Sequence, residues 1–532
     1  VISIHPNRGR ILDRHLKPLA LTEPAFDVYA LPNDIENKWD FSVAVAPLLG
    51  KTRKELSDKL YKTKQSFMWL DRQISTETKN QLSALKITGL GFIPREKRVY
   101  PNQGLAAHVL GYVGVDNQGL SGLEYQFDSV LRGSSGKIIV DGDPRGNRLV
   151  SGKMKQLPAK DGGVIVTSID QRLQFFSEYY LAKAVENYQA RSGQVIIMQP
   201  DTGDILAMAV VPTFNSNDWK QSTAMSRKII PVSNIFEPGS IFKVITLAAV
   251  LEEDIVSLQT SMHVPERFKL YNATIKEAHD RKEGESDTKS VSEIIEQSLN
   301  VGTTLLAQKL GEQRFYKYMR DFGFGEKTGI ELNGESEGLL RPVKRWSGVD
   351  IAMMSFGQGI GVTGIQMLSA VAAIANGGVY VKPRIVQYIA ENDSIKRQAI
   401  PVQTGQRIIS EDTAYDVRKV MEKVMERGTG KGLGVKGFAI GGKTGTAQKA
   451  REDGKGYEPG KYVSSFIGIV PVDQPKAVIL VSIDSPKGAY YGGTVAGPVF
   501  KQLSAQLIDS YNIKPKALDK GAKEYRERIG RH

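Results

Sequence analysis

The chain has 532 residues, of which 41% are hydrophobic and 24% charged, with a formal net charge of +13. This composition is typical of a globular protein. The chain is too long for one compact core, so two to four domains are expected. Cysteine is absent and the six histidines are scattered, which excludes disulfides, a cysteine nucleophile and thiolate or histidine zinc sites.

Residues 1–160 are predicted to form a scaffold or interaction region, because they contain no recognisable set of catalytic residues. The whole chain contains no run of about 18 apolar residues, so no segment is predicted to span a membrane. The sequence begins at Val1 without a methionine or a signal peptide, and we expect a mature fragment that lacks an N-terminal anchor. Residues 1–160 alternate strand-like runs with Gly-rich pieces. The charges of residues 7–14 predict internal ion pairs or a docking surface.

Residues 161–515 are predicted to form a second domain, and residues 516–532 are predicted to form a charged tail. Two strands, 194–199 and 205–211, are predicted to form a hairpin. Residues 254–290 are polar and are predicted to be a loop. Helices are expected over the segments 170–190, 302–322, 365–376, 410–427 and 495–511, and late strands over 463–470 and 477–483. Strands from both ends of the domain should form one sheet with helices on its faces, an α+β arrangement.

The segment from Ser240 to Leu251 predicts a buried helix with an unusual lysine. After Ser240, only Lys243 and Thr246 are polar, and Ser240, Lys243 and Thr246 share one helix face. Burial disfavours the charged form of a lysine, which allows it to act as a base near neutral pH. A serine one turn away is then a candidate nucleophile. The alternative is a serine N-cap followed by a lysine that reaches solvent.

Residues 437–444 match the phosphate-binding P-loop pattern, which would indicate a nucleotide hydrolase. That pattern requires a strand before the loop and a helix that opens at Lys443. The preceding segment is instead Gly-rich, and the following one becomes polar without an apolar helical stripe. The nucleotide hydrolase is therefore the weaker alternative.

Three short motifs in this order form a more specific set. They are Ser240-x-x-Lys243, Ser298-x-Asn300 and Lys443-Thr444-Gly445, and they resemble the motifs of penicillin-recognising serine acyltransferases. Six other segments match as well: 7–14, 122–124, 200–208, 356–359, 491–493 and 496–500. Over essentially its whole length the chain resembles a class B penicillin-binding protein, a monofunctional peptidoglycan D,D-transpeptidase.

The resemblance implies a fold and a cellular setting. It implies a transpeptidase domain with a central antiparallel sheet flanked by helices, preceded by an elongated mixed α/β pedestal. It also implies a membrane anchor and a periplasmic or otherwise extracytoplasmic catalytic domain. Tyr457, Tyr462 and the pair Tyr490-Tyr491 resemble those of the septal enzyme of cell division, penicillin-binding protein 3. Elongation-specific and sporulation-specific relatives remain open as alternatives.

The partners implied are stem peptides with a D-Ala-D-Ala donor and an amine acceptor, β-lactams, and membrane division proteins that include a lipid II glycosyltransferase. No nucleic acid, metal or cofactor is expected. Ser240 is expected to attack the penultimate D-Ala carbonyl and Lys243 to take its proton. Ser298 is expected to relay a proton to the departing amine, and Asn300 to hold the substrate amide.

The resemblance also implies roles for the third motif. The amides of Ser240 and Thr446 would form the oxyanion hole, and the strand that carries Gly445 would pair with the substrate. Lys443 would supply positive charge, and the hydroxyls of Thr444 and Thr446 would bind the terminal carboxylate. The aromatic residues Tyr462, Tyr490 and Tyr491 either wall the cleft or pack as ordinary core residues.

Three related activities are alternatives to transpeptidation. A β-lactamase needs a deacylating base, but Gly329 stands where the Glu is required before Leu332-Asn333, and Glu331 is misplaced. Some D,D-carboxypeptidase side activity remains open. A non-catalytic penicillin sensor also remains open, because the same motifs can be acylated once without turnover.

Overall fold

The computed structural model describes residues 2–4, 6–140, 154–271, 273–278, 286–391, 397–451 and 456–516. The α-helices are Lys38–Val45, Arg53–Lys62, Thr76–Ala84, Ala107–Leu110, Gly122–Gln126, Asp128–Leu131, Gln171–Asn187, Ile230–Ser233, Lys243–Glu252, Val291–Glu296, Asn300–Leu310, Glu312–Asp321, Asp350–Ser355, Gly364–Ala375, Glu411–Arg427, Gly492–Val495 and Gly497–Ser510. Short 3-10 helices are Pro47–Leu49, Ser216–Gln221, Gly239–Phe242 and Val343–Arg345. Almost all of the predicted charged tail lies outside the described residues.

The strands alternate with these helices along the chain. They are Ile2–Ile4, Ile11–Leu12, Pro18–Ala30, Met68–Ile74, Leu90–Val99, Tyr112–Val113, Gly119–Ser121, Gly136–Val140, Met154–Leu157, Val164–Thr167, Ser192–Met198, Ile205–Val211, Ser261–His263, Arg267–Leu270, Ala273–Lys276, Thr288–Ser290, Val379–Val381, Val386–Ala390, Arg397–Ala399, Thr404–Arg407, Gly441–Ala450, Tyr457–Val470 and Ala477–Asp484. Within the described ranges, no helix is long and apolar enough to cross a bilayer.

A five-stranded antiparallel sheet forms the centre of the second half of the chain. Its order is Ile205–Val211, Ser192–Met198, Ala477–Asp484, Tyr457–Val470 and Gly441–Ala450. The predicted hairpin and the prediction of one sheet built from both ends of the domain are therefore confirmed. Gly441–Ala450 is an edge strand of this sheet, so its outer backbone groups are available to pair with an extended peptide.

Both faces of this sheet are covered, which explains why its strands read as continuous apolar runs. Gln171–Asn187 and Gly497–Ser510 pack on one face, and Gly364–Ala375 packs on the other. On that second side lies Lys243–Glu252, in which every residue from Lys243 to Leu251 is buried. The predicted burial of this helix is confirmed. Because burying each large aliphatic side chain contributes about 1.5–3 kcal/mol, this helix is a strongly stabilised platform.

A second sheet runs through the N-terminal half and continues beyond it. The long strand Pro18–Ala30 pairs with Leu90–Val99 and Met68–Ile74. At its other end, Ile11–Leu12 lies parallel to Val164–Thr167, which pairs in turn with Val386–Ala390. This sheet therefore includes strands from both halves of the sequence.

A buried ion-pair network lies beneath this sheet and confirms the predicted internal ion pairs of residues 7–14. The Glu124 carboxylate accepts hydrogen bonds at 2.6 Å from both Arg8 Nε and Arg98 Nε. Arg8 also donates to Asp128 at 2.6 Å, and the Tyr100 hydroxyl donates to Glu124 at 3.2 Å. Glu124 is fully buried, so its charge is tolerated only because both arginines neutralise it.

Two predictions about the helical middle are wrong. The segment 254–290, predicted to be a loop, contains strand pairs Ser261–His263 with Thr288–Ser290 and Arg267–Leu270 with Ala273–Lys276. The single helix predicted over 302–322 is two helices, divided at Gly311 with φ 84°. Short exposed strands lack the apolar alternation that identifies a buried strand, and Gly311 ends the first helix within an otherwise continuous helical pattern.

Candidate active site

The Ser240 turn lies against the edge strand of the central sheet. Ser240 belongs to the 3-10 helix Gly239–Phe242, which leads directly into the buried helix. Gly239 has φ 57°, and a Cβ placed there would lie 3.2 Å from both Thr446 O and Ala447 Cβ. A Cβ at Gly445 would lie 3.0 Å from Pro238 O. Glycines at 239 and 445 therefore allow the serine turn and the strand to approach closely.

Lys243 points away from bulk water into a set of oxygen acceptors. Its Nζ donates to Ser298 O at 2.6 Å and to Asn300 Oδ1 at 2.7 Å, with a longer contact of 3.3 Å to Ser298 Oγ. The side chain is fully buried, and this burial lowers the pKa of Lys243 to about 7. The two short bonds match the two hydrogens of a neutral amine, which leaves its lone pair for proton transfer.

Ser298 lies between the two lysines of the motifs. It occupies the connection between Val291–Glu296 and Asn300–Leu310, with φ 60°. Its Oγ accepts a hydrogen bond of 2.8 Å from Lys443 Nζ in addition to the Lys243 contact. Burial and the nearby charge of Lys243 lower the pKa of Lys443. Because Ser298 Oγ accepts from Lys443, its own proton remains available to the neutral Lys243 amine or to a third group.

Glu277 is a site residue that the sequence did not reveal. One oxygen of its carboxylate accepts the backbone N–H of Asn300, and the other accepts the N–H of Val301 at 3.1 Å. It follows the strand Ala273–Lys276 in a segment that carries no motif. A single acidic residue in a polar segment gives no sequence signal, so only the three-dimensional structure brings Glu277 to the site.

Thr444 and Thr446 belong to the edge strand, and the side-chain hydroxyl of each forms a hydrogen bond. Thr444 Oγ1 donates to Thr429 Oγ1 at 3.0 Å, and Thr446 Oγ1 accepts the N–H of Gly492 at 2.9 Å. Thr446 pairs with Ser464 across the ladder. Since the Thr446 hydroxyl accepts from a backbone amide, its proton can be donated to an anion in the cleft.

The tyrosines form a stack at the far end of the same strand. The ring of Tyr490 lies 4.3 Å from that of Tyr462 and 4.5 Å from that of Tyr491. Tyr462 is opposite Gln448 in the ladder, and Tyr490 and Tyr491 are 36% and 39% exposed. Tyr457 lies apart from the stack, and its hydroxyl donates to Glu237 at 3.0 Å.

The P-loop alternative is wrong. Lys443 and Thr444 lie inside the strand Gly441–Ala450 rather than at the start of a helix, so no helix N-terminus faces a phosphate there. Asp484, at the end of the strand Ala477–Asp484, forms an ion pair with Lys449 at 2.7 Å. The Lys443 amine instead faces Ser298.

The family comparison agrees with this geometry. Residues 193–505 match the penicillin-binding protein transpeptidase domain, and residues 3–167 match the penicillin-binding protein dimerisation domain. The chain belongs to the class B penicillin-binding proteins. The resemblance and the two-part α+β fold predicted from the sequence are thereby confirmed.

Three relatives illustrate how far the similarity of this class B penicillin-binding protein extends. Stage V sporulation protein D of Bacillus subtilis is 35% identical, over 97% of this chain and 80% of its own length. The peptidoglycan D,D-transpeptidase FtsI of Escherichia coli is 30% identical, over 98% and 87% respectively. A crystal structure of penicillin-binding protein 3 from Mycobacterium tuberculosis complexed with aztreonam has a TM-score of 0.74 at 27% identity, covering 97% of this chain and 98% of that one.

A glycine behind the Ser240 turn should be critical to the activity of this penicillin-binding protein. A Cβ at Gly357 would lie 2.2 Å from Gly239 O, so Gly357→Ala must displace the turn. We expect the second-order rate of penicillin acylation to fall by about tenfold or more, because small misplacements of reacting groups are costly. Stopped-flow acylation with a fluorescent penicillin measures this rate.

Gly359→Ala is the matched control for this substitution. Its φ of 73° is similar to the 80° of Gly357, but the nearest atom to its Cβ would be 3.9 Å away. Both variants carry the same backbone strain, and only Gly357→Ala adds the collision. Equal acylation rates in the two variants would contradict the proposed contact between Gly357 and the serine turn.

Proposed function

We propose that this protein is a peptidoglycan D,D-transpeptidase in which Ser240 is the nucleophile. Ser240 Oγ attacks the carbonyl carbon of the penultimate D-Ala, and its proton passes to the neutral amine of Lys243. The bond to the terminal D-Ala breaks, and that residue leaves as an amine after taking a proton delivered through Ser298. An ester of the stem peptide on Ser240 remains.

The second half of the reaction replaces this ester by a cross-link. The amine of a neighbouring stem peptide attacks the ester carbonyl, forms a new amide bond and releases Ser240. The proton lost by the attacking amine returns through Lys243 to Ser240 Oγ. This half-reaction uses the groups of the first step in the reverse order.

The observation that carries the proposal is the position of Ser298 between Lys243 and Lys443. Its Oγ lies 3.3 Å from one amine and 2.8 Å from the other. Burial lowers the pKa of both lysines, so a proton can move among these groups near neutral pH.

Substrate binding is assigned to the edge strand. The amides of Ser240 and Thr446 would hold the developing oxyanion, and Asn300 would hold the substrate amide. Lys443 and the hydroxyls of Thr444 and Thr446 would bind the terminal carboxylate. The peptide would then extend along the strand through Gly445 towards the stack of Tyr462, Tyr490 and Tyr491, which we propose as a wall of the cleft.

Intact-mass spectrometry after incubation with a penicillin tests the proposal, followed by peptide mapping. We expect one stable penicillin adduct per chain, located on the peptide that contains Ser240. An adduct elsewhere, or rapid release of hydrolysed penicillin, would contradict the assignment. Formation of cross-linked muropeptides from purified glycan strands then separates a transpeptidase from a penicillin sensor or a D,D-carboxypeptidase.

We further propose a septal role in cell division, at the outer side of a membrane, with membrane division proteins and a lipid II glycosyltransferase as partners. Similarity to FtsI of Escherichia coli supports this role. Similarity to stage V sporulation protein D supports a sporulation role as the second candidate. Depletion in growing cells distinguishes them, because a septal enzyme is required for every division.

We propose different roles for three parts of the chain. Residues 1–160 would dock partner proteins, residues 161–515 would carry the transpeptidase chemistry, and residues 516–532 would form a charged tail. Supporting this division, every residue of the three motifs lies in the second range.

A further inference from the structure

Glu277 connects the polar segment 254–290 to the proposed acyl-transfer centre. The helix Asn300–Leu310 has no side-chain cap from its own N-cap residue, Leu299. The Glu277 carboxylate fills that role by accepting the N–H groups of Asn300 and Val301. A carboxylate at a helix N-terminus satisfies backbone donors and interacts favourably with the helix dipole.

The same short segment also fixes the Asn300 side chain. Asn300 Nδ2 donates to Lys276 O at 3.0 Å, while Asn300 Oδ1 accepts from Lys243 Nζ at 2.7 Å. The backbone and the amide of Asn300 are thus both held by residues 276 and 277. A shift of Glu277 would move an acceptor on which the position of the Lys243 amine depends.

Glu277 acts on Lys243 through its charge as well. Burial lowers the pKa of Lys243, and the negative charge of Glu277 opposes this effect by favouring the ammonium form. The charge of Lys243 in turn lowers the pKa of Lys443, because like charges repel. The proton affinity of Lys243 therefore reflects a balance of burial on one side against Glu277 on the other.

We propose that Glu277 is a positioning residue of the acyl-transfer site, which holds Asn300 in place and supplies the negative charge that balances Lys243. This inference rests on the proposed role of Lys243 as the base. A base is most effective when its pKa is near the working pH. Without Glu277 the amine would be a weaker base, and the loop that carries Ser298 would lose its support.

The pH profile of acylation by a fluorescent penicillin tests this role with three variants. Glu277→Gln retains the size but removes the charge and one acceptor. Glu277→Asp retains the charge but shortens the side chain. The control, Glu293→Gln, removes a capping carboxylate from the adjacent helix Val291–Glu296, where Glu293 forms a capping box with Ser290. Thermal unfolding of each variant is recorded in parallel.

The acidic limb of the profile is the low-pH range in which the acylation rate rises with pH. We expect Glu277→Gln to move this limb to lower pH by about half a unit or more. Its maximal rate should fall by about tenfold or more. Glu277→Asp should lower the rate while its acidic limb stays in place. Glu293→Gln should lose stability without moving the limb, since its charge is directed at Lys289 and Arg427 rather than at Lys243.

An acidic limb in Glu277→Gln that coincides with the wild-type limb would overturn the inference. If that variant does not fold, Glu277→Asp decides: a wild-type acylation rate in it would overturn the positioning role. Failure of the proposed function itself is recognised separately, because the wild-type protein would then form no penicillin adduct on Ser240 at any pH.

Discussion

Replacing Ser240 by alanine should abolish covalent penicillin labelling, with an acylation rate below about a thousandth of the wild-type rate. The substitution removes the oxygen that is proposed to form the ester, while neighbouring groups can still bind the antibiotic. Ser240 is partly exposed in the 3-10 helix Gly239–Phe242, outside the core cluster of the molecule. Its replacement by the smaller alanine should therefore leave the fold and the melting temperature nearly unchanged.

Ser233→Ala is the matched control for this experiment. Ser233 ends the short helix Ile230–Ser233 that precedes the Ser240 turn, and its hydroxyl donates to Ile229 O at 2.9 Å. This variant loses a serine hydroxyl from the same region but should be labelled at the wild-type rate. Gel fluorescence and intact mass both report the result. A labelled Ser240→Ala protein would remove Ser240 from the role of nucleophile.

The acylation rate should depend on pH through Lys243. The base must be neutral, and burial lowers the pKa of Lys243 to about 7. The rate is therefore expected to rise about tenfold per pH unit below that value and to level off above it. Lys243→Met should lower the maximal rate by about a hundredfold to ten-thousandfold, the usual contribution of a general base, and it should remove the acidic limb.

Lys449→Met provides the matched control for the loss of a lysine. Lys449 lies on the edge strand and forms an ion pair with Asp484 rather than contacting Ser298. This variant should keep the acidic limb at the wild-type pH. Stopped-flow acylation between pH 5 and 9 compares the three proteins. An acidic limb that survives in Lys243→Met would assign the titration to another group.

The sequence predicted much of the catalytic half because its signals are local. The buried helix after Ser240 follows from an apolar run with one lysine, and the central sheet follows from apolar strands bounded by turns. The family motifs indicated which side chains meet. The contribution of Glu277 was not predictable, because it depends on a tertiary contact between an exposed hairpin and a helix that begins 23 residues later in the chain.

The sheet shared by the two halves was also beyond prediction. Ile11–Leu12 is too short to carry a periodic signal, and its partner, Val164–Thr167, lies more than 150 residues away. Pairing between such distant segments is decided by the whole fold rather than by local preference. The domain boundary predicted near residue 160 therefore lies only a few residues before Val164–Thr167. That strand lies between Ile11–Leu12 and Val386–Ala390 in the shared sheet.

This shared sheet has a practical consequence for anyone who wishes to isolate the catalytic half. A fragment cut at residue 161 would keep Val164–Thr167 but lose its neighbour Ile11–Leu12. The side chains of Val164, Ile165 and Val166, now buried, would border an open, hydrophobic strand edge, which is a template for aggregation. Inhibitor screening and crystallisation are therefore better served by the intact chain than by the shorter fragment.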